Sequence, residues 1–171
     1  MKEKIINKFQ NKSLFYKVPR VEGLLKRNFS LSNLTWFKVG GKAEIYFIPK
    51  NINDLINFLK NLKKEIPIKI LGAGSNTLVR DGGIGGVTIK LAKSFSEIRY
   101  MKNYKVLLGA GLSCIKLARE SAKKSLTGFE FFSGIPGTIG GAIKMNAGSY
   151  GNQTSDCLEQ IVTINRQGKI K

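Results

Sequence analysis

Apolar and polar residues in the first half of the chain alternate with two different periods. Residues 43–48 and 86–91 are rich in β-branched and aromatic side chains and follow glycines, so they are predicted strands. The apolar run 68–71 predicts a third strand. Between these strands, apolar residues recur every three or four positions over 52–62. That spacing predicts a helix, and Asn51 is its expected N-cap.

The second half of the chain shows the same periods less regularly. β-Type runs at 104–110 and 158–164 predict two further strands, and a short one is predicted over 77–83. A helix that begins after Ser113 is predicted to end at Gly128, which would occupy the usual glycine position after a helix. Its predicted packing face consists of Leu117, Ala118, Ala122 and Leu126.

The two ends of the chain carry weaker patterns. Residues 1–29 are predicted to form an N-terminal helical arm, whose apolar contacts would be Ile5, Ile6, Phe9 and Phe15. The strand predicted near the C-terminus has no return strand before Lys171. We therefore expect the chain to be a truncated form of a longer protein.

The composition is typical of a globular domain and restricts its chemistry. Hydrophobic residues make up 42% of the chain and charged residues 23%. No apolar run approaches the ~20 residues that span a bilayer, and no signal-peptide pattern is present, so no membrane partner is expected. The chain has no histidine, and its two cysteines, Cys114 and Cys157, lack metal-ligand spacing. We expect no metal site, free thiols and a cytoplasmic location.

The formal net charge of +18 indicates an anionic ligand more than a nucleic acid. The basic residues are spread along the chain, and no dense basic run is interleaved with aromatic residues. A basic nucleic-acid-binding module remains an open alternative, but we expect no nucleic-acid partner. A phosphate-rich ligand, such as a dinucleotide or a nucleotide sugar, would be attracted by the same field.

Glycine is concentrated in two segments, 72–86 and 134–151, which together hold twelve of the 19 glycines. Glycine at this density is expected where backbone turns tightly or approaches a ligand closely, although two ordinary loops remain possible. The loop 72–76 that opens the first segment is followed by β-type runs and not by a helix, so it does not match a Rossmann fingerprint, and no Walker pattern is present. An anion would instead be held by a nest of backbone N–H groups, helped by Ser75 and Asn76.

Several motifs, taken in order, indicate a family. They are NLTWFKVGGKAE, IPIKILGAGSNTLVRDGGIGGVTIKL, GLSCIKLARESA and GFEFFSGIPGTIGGAIKMNAGSYG, and they extend over roughly residues 30–170. With these motifs the chain resembles the UDP-N-acetylenolpyruvoylglucosamine reductase (MurB) family. The resemblance implies an α+β fold, a two-lobed FAD-binding domain of the PCMH type (vanillyl-alcohol-oxidase-like). The lobes would be residues 30–92 and 93–171, with the C-terminal substrate domain missing.

The resemblance also implies a set of cofactor-binding residues. Those expected to hold the pyrophosphate of FAD are Gly72, Ala73, Gly74, Ser75, Asn76, Thr77 and Leu78. Those expected to line the flavin are Gly134, Ile135, Pro136, Gly137, Thr138, Gly140, Gly141, Ala142, Asn146, Ala147 and Gly148.

The activity implied by the resemblance belongs to peptidoglycan precursor synthesis. In the family NADPH reduces FAD, and the flavin passes hydride to the enolpyruvyl group of a nucleotide-sugar substrate. The arginine, serine and glutamate that assist this step are expected beyond Lys171, so no catalytic residue is assigned. We expect a monomeric chain that is limited to FAD binding. Another flavin-dependent oxidoreductase of the same fold is the alternative enzyme class.

Overall fold

The computed structural model describes residues 18–171 as a mixed arrangement of short strands and helices. The strands and helices, in chain order, are β1 Leu24–Ser30, β2 Lys42–Ile48, α1 Ile52–Asn61, β3 Ile68–Leu71, β4 Ile84–Lys90, β5 Ile98–Tyr100, β6 Val106–Leu108, α2 Cys114–Ala122, α3 Ile139–Met145, β7 Gly148–Ser149 and β8 Asn152–Gln153. Short 3₁₀ turns lie between several of them, including Glu130–Gly134 before α3. No helix in the described residues is long and apolar enough to cross a membrane.

A four-stranded sheet, in the order β1-β2-β4-β3, organises the first half of the chain. Strand β1 is antiparallel to β2, whereas β4 runs parallel to both β2 and β3. Parallel neighbours end at the same edge of a sheet, and Leu71 at the end of β3 pairs with Lys90 at the end of β4. The loop that begins at Gly72 therefore starts beside Lys90.

Helix α1 covers one face of this sheet, as its sequence period predicted. The Asn51 side chain caps the helix by accepting the N–H of Asp54 at 2.9 Å, so the predicted cap is confirmed. Ile52 is an exception to the predicted stripe because it is 41% exposed. The core between α1 and the sheet consists of Ile45, Phe47, Leu55, Phe58, Leu59, Leu62, Ile66, Val87 and Ile89.

A second core is formed by the later part of the chain. It joins α2, the Glu130–Gly134 turn and α3, and Phe131 and Phe132 contribute stacked rings whose centroids are 4.1 Å apart. The buried residues of this core are Leu112, Cys114, Leu117, Ala118, Phe131, Phe132, Ile135, Ile139 and Ala142. A smaller cluster, Leu31, Ala43, Tyr46, Leu71 and Val79, involves residues of β2, the end of β3 and the loops beside them.

The predicted N-terminal helical arm is wrong where it can be compared with the structure. Residues 1–17, including the expected apolar contacts, lie outside the described residues. Residues 24–30 form β1 and pair with β2. Leu24 lies opposite Ile48 at one end of the ladder, and Ser30 lies opposite Lys42 at the other. A ladder with a neighbouring strand satisfies the backbone groups of this segment, and tertiary pairing of this kind overrides a weak local helical pattern.

Helix α2 ends earlier than the predicted stop at Gly128. Its last residue is Ala122, and Ser125 takes the left-handed conformation with φ of 54°. The N–H of Leu126 binds the carbonyl of Ser121 at 3.0 Å, and the N–H of Ser125 binds that of Ala122 at 3.0 Å. This is the Schellman arrangement, with serine at the position where glycine was expected. In the last turn of α2, Ser121 is buried and Ala122 is exposed. Ala122 therefore does not belong to the packing face that the sequence predicted.

Two predicted strands, 77–83 and 158–164, are absent from the structure. At the C-terminus the chain does turn back: Ile164 and Ile170 form an isolated antiparallel bridge, and Thr163 and Lys171 exchange backbone hydrogen bonds at 2.9 Å, so the expected lack of a returning segment is wrong. Residues 158–162 are exposed and pair with no strand among residues 18–171. The guanidinium of Arg166 donates to the carbonyls of Lys63 and Ile66, just after α1. Part of the segment expected in the second lobe therefore packs against the first core.

Candidate functional site

The two glycine-rich segments of the sequence lie side by side in the structure. A Cβ atom placed on Gly72 would come 3.0 Å from the Thr138 hydroxyl oxygen. A Cβ on Gly137 would lie 4.0 Å from the Ser75 hydroxyl oxygen. The two segments therefore lie against each other, and the space between them is bordered by backbone and by two hydroxyl groups. The two segments are far apart along the chain, so their positions in the sequence do not indicate that they lie close together.

The first segment is held in place through Gly74. This residue is buried and has φ of 77°, a left-handed conformation that glycine adopts without strain. Its carbonyl accepts the N–H of Trp36 at 3.1 Å, and a side chain on Gly74 would overlap the carbonyl of Leu34. The loop is therefore fixed against residues 34–36, whereas Ala73, Asn76 and Leu78 are exposed.

The first segment presents hydrogen-bond donors that are not used internally. Within residues 18–171, no hydrogen bond takes up the N–H groups of Gly74, Ser75 or Asn76. The Ser75 side chain is half-buried beside the second glycine segment. Consecutive free N–H groups in a turn form a concavity that attracts anions.

Lys90 adds a positive charge to this edge of the sheet, and the sequence pattern did not signal it. Its side chain is half-buried, and its ammonium group donates to the carbonyl of Gly72 at 2.5 Å. Burial lowers the pKa of Lys90 from its ordinary value because the charged form loses hydration. As the last residue of β4, Lys90 is brought to the loop only by the parallel pairing of β3 and β4.

The second segment is tied to the loop between β6 and α2. The N–H of Ile139 binds the Leu112 carbonyl and the N–H of Gly140 binds the Ala110 carbonyl, both at 2.8 Å. A Cβ on Gly140 would come 3.0 Å from both the Cβ and the carbonyl oxygen of Ala110, which is tighter than an ordinary contact, so glycine suits the close packing there. The Thr138 hydroxyl accepts the N–H of Gly141 at 3.3 Å. The first N–H groups of α3 are thus already bound within the protein.

Several predicted flavin-lining residues have internal roles in the described structure. Ile135 and Ala142 are buried in the second core, and Pro136 is exposed. A Cβ on Gly134 would overlap the Ser149 hydroxyl oxygen and come 2.8 Å from the Tyr150 ring, so these two side chains would have to move to admit it.

Residues 146–148 are held by the hairpin that follows α3. Asn146 ends α3 in a left-handed conformation with φ of 44°, and its side-chain oxygen accepts the N–H of Ser155 at 2.9 Å. The Ala147 carbonyl accepts both the N–H and the hydroxyl of Thr154. A Cβ on Gly148 would approach the Asn152 carbonyl to 2.8 Å. This segment therefore has a complete structural explanation in the hairpin, and its contact with a flavin stays a prediction.

Both cysteines are free, and within residues 18–171 no group of three histidine, cysteine, aspartate or glutamate side chains could hold a metal ion. Cys114 is buried beneath the second glycine segment, where its N–H donates to the Gly137 carbonyl at 3.0 Å. Burial raises the pKa of the Cys114 thiol to about 11, because the thiolate would lose hydration.

The Cys114 thiol is expected to make stability fall at alkaline pH. The folded protein keeps this proton above the ordinary pKa of 9.0, whereas the unfolded chain releases it there. Stability is therefore complete below about pH 9 and is lost as pH rises toward the folded pKa, by about 2 kcal/mol at pH 11. Urea unfolding at pH 8 and pH 11 should show a smaller alkaline loss in Cys114→Ala than in the unsubstituted chain. Equal losses would contradict this assignment.

Comparison with known proteins identifies relatives of the chain. Residues 43–171 match the family model of an FAD binding domain. The chain is 49% identical over 154 residues to the UDP-N-acetylenolpyruvoylglucosamine reductase of Orientia tsutsugamushi (strain Ikeda), with 88% of this chain and 51% of that protein covered. It is 45% identical over 153 residues to the reductase of the same name from Phenylobacterium zucineum, with 90% and 51% covered.

A solved structure shows the same arrangement of the backbone. The crystal structure of UDP-N-acetylenolpyruvylglucosamine reductase (MurB) from Thermus caldophilus superposes with a TM-score of 0.74 at 32% identity. The match covers 87% of this chain and 52% of that one. The chain thus spans about half the length of the relatives that it matches.

Proposed function

The chain belongs to the FAD binding domain family that its residues 43–171 match, and from this premise we propose that it supplies the cofactor-binding half of a UDP-N-acetylenolpyruvoylglucosamine reductase. FAD is the cofactor of this family. The resemblance to the MurB family is confirmed by the relatives, and the α+β fold of the PCMH type is confirmed by the solved neighbour. The match also favours flavin over the nucleic-acid alternative.

The groups that border the space between the two glycine segments are chemically suited to the diphosphate of FAD. The donors at this place are the N–H groups of residues 74–76, the hydroxyls of Ser75 and Thr138, and the ammonium of Lys90. No carboxylate hydrogen-bonds any of these groups in the described part of the chain, so the donor set favours an anion. A Cβ on Gly137 would make only ordinary contacts with the Ile135 side chain and the Ser75 hydroxyl, so no protein group requires glycine at this position. The residues present therefore fit the cofactor.

The observation that carries the proposal is the close approach of Gly72 to Thr138 and of Gly137 to Ser75. Two backbone-lined segments far apart in sequence make one site, as a bound dinucleotide requires. Bound FAD supplies two-electron chemistry that no side chain provides. Residues 72–78 would bind and orient the diphosphate, and Gly137 with Thr138 would leave room for the flavin by presenting little side-chain bulk.

The reaction of the whole protein is part of the same proposal. By the family resemblance, NADPH is the reductant and a nucleotide sugar with an enolpyruvyl group is the substrate. We assign no residue of this chain to the proton transfer and enolate stabilisation that the resemblance implies. Cofactor binding is therefore the step that this chain can test directly.

We also propose the finer points that follow from the resemblance. They are a cytoplasmic location, which two free thiols support, a monomeric chain, and lobes divided near residue 92. The separate cores around α1 and α2 support the lobe division, and the return of residues 164–168 to α1 modifies it.

The proposed FAD binding can be tested on the purified chain. Protein mixed with FAD and separated by gel filtration is expected to carry stoichiometric flavin absorbance. Trp36 is the single tryptophan, its side chain is exposed, and its backbone N–H binds the Gly74 carbonyl. Its emission should therefore fall saturably as FAD is added, because flavin accepts excitation energy from a nearby indole. A folded chain that elutes colourless, with unchanged Trp36 emission, would refute the proposal.

A further inference from the structure

Lys90 is a half-buried cation without an acidic partner in the described part of the chain. The four ion pairs among residues 18–171 all join exposed side chains, and none includes Lys90. The hydrogen bond of its ammonium goes to the Gly72 carbonyl at 2.5 Å. Burial lowers the pKa of Lys90. Its charge is therefore incompletely compensated by the protein.

Such a cation needs an explanation because burying a charge is unfavourable unless it is paired and hydrogen-bonded. A carbonyl oxygen supplies a partial negative charge, which offsets only part of the lost hydration. An ammonium group has three N–H donors, and the Gly72 carbonyl takes one of them. Within residues 18–171 the other two make no hydrogen bond, so they can bind a ligand at the loop.

The surroundings of Lys90 indicate the charge of that ligand. Gly72 lies between Lys90 and the Thr138 hydroxyl, and the unused N–H groups of residues 74–76 follow in the same loop. Backbone N–H groups, hydroxyls and an ammonium group are the donors that bind phosphate oxygens in proteins. A dianionic diphosphate would supply the negative charge that the protein itself does not place there.

We propose that Lys90 neutralises the diphosphate of FAD and, through the Gly72 carbonyl, positions the loop that holds it. This inference rests on the proposed function, because it assumes that the dinucleotide lies between the glycine segments. Lys90 is a binding and positioning residue and has no catalytic role. The ammonium connects the end of β4 to the loop that follows β3.

Two substitutions separate the charge of Lys90 from its hydrogen bond. Lys90→Gln removes the charge and retains an N–H donor, whereas Lys90→Arg retains the charge and the donors. Lys93→Gln is the matched control, because Lys93 is exposed, lies three residues further on and gives the same change in net charge. FAD dissociation constants are measured from the emission of Trp36 at low and high NaCl, and melting curves check the fold.

Lys90→Gln is expected to weaken FAD binding by about 10- to 100-fold at low salt, and its remaining affinity should depend less on salt. Lys90→Arg and Lys93→Gln should stay within about threefold of the unsubstituted chain, whose affinity falls on adding salt. Unchanged binding in Lys90→Gln would overturn the inference. Equal losses in Lys90→Gln and Lys90→Arg, with unaltered salt dependence, would assign Lys90 to loop structure alone and would also overturn it.

A labelling experiment gives a readout that does not depend on any variant folding. The unsubstituted chain is acetylated at its amines with and without FAD and analysed by mass spectrometry. FAD should lower the acetylation of Lys90, whereas the acetylation of Lys93 should be the same with and without FAD. Reactivity of Lys90 that is unchanged by saturating FAD would overturn the inference while leaving the proposed function intact. If the unsubstituted chain binds no FAD, both the proposed function and this inference fail.

Discussion

Replacing Gly137 by valine is expected to abolish detectable FAD binding while the chain remains folded. A Cβ at this position meets only ordinary contacts, at 3.6 Å from the Ile135 side chain and 4.0 Å from the Ser75 hydroxyl oxygen. Gly137 also has no left-handed φ, so a side chain brings no backbone strain. The added methyl groups would instead occupy the space between the two glycine segments.

The expected loss is about 100-fold or more in affinity, which corresponds to about 2.8 kcal/mol. Gly137→Ala should give an intermediate loss because it adds one carbon. Gly82→Val is a matched control, since Gly82 has no left-handed φ and a Cβ there has no neighbour within 4 Å. The measurement is an FAD titration followed by Trp36 emission, with melting curves for each variant. A folded Gly137→Val chain that binds FAD normally would exclude this space as the cofactor site.

Replacing Asp54 by alanine is expected to destabilise the fold by about 3 kcal/mol. The carboxylate of Asp54 is 3% exposed and accepts the backbone N–H groups of Glu22, Gly23 and Lys50, each at 2.9 Å. These bonds join the segment before β1 to the start of α1. Alanine would leave all three donors without their partner, and hydrogen bonds to a charged acceptor contribute more than neutral ones.

Urea denaturation and thermal melting measure this effect, and the melting temperature should fall by about 10 °C. Asp54→Asn should lose less because its side-chain carbonyl still accepts a hydrogen bond. Asp81→Ala makes the same substitution at an exposed carboxylate, and its stability should change by less than about 0.5 kcal/mol. A destabilisation in Asp54→Ala no larger than that of Asp81→Ala would show that the three bonds contribute little to the fold.

Local pattern was sufficient for those elements whose main interactions lie within a few residues. The helix over 52–61 has its cap, its apolar period and its end within one stretch of chain, and the structure contains it. The prediction failed where a partner distant in sequence decided the outcome. Residues 24–30 became a strand because β2 pairs with them, and residues 158–162 have no such partner.

For the candidate site, glycine density located both segments, but it did not assign a role to each residue. Gly140 and Gly148 are explained by close packing against Ala110 and Asn152, whereas Gly137 is not required by any protein contact. Asn146 serves as the end of α3. A glycine required by packing and one required by a ligand look alike in a sequence, since both record only the absence of a side chain.

The sequence by itself determined the family, the positions of the glycine segments and the helices whose apolar residues repeat at a helical spacing. Only the tertiary structure decided that Gly72 lies against Thr138, that Lys90 binds the Gly72 carbonyl across 18 residues, and that Asp54 binds N–H groups 31 and 32 residues away. The physical reason is the range of the interactions. Caps and apolar periods act between neighbours, whereas the charge and the donors of this site meet only after β3 and β4 pair in parallel.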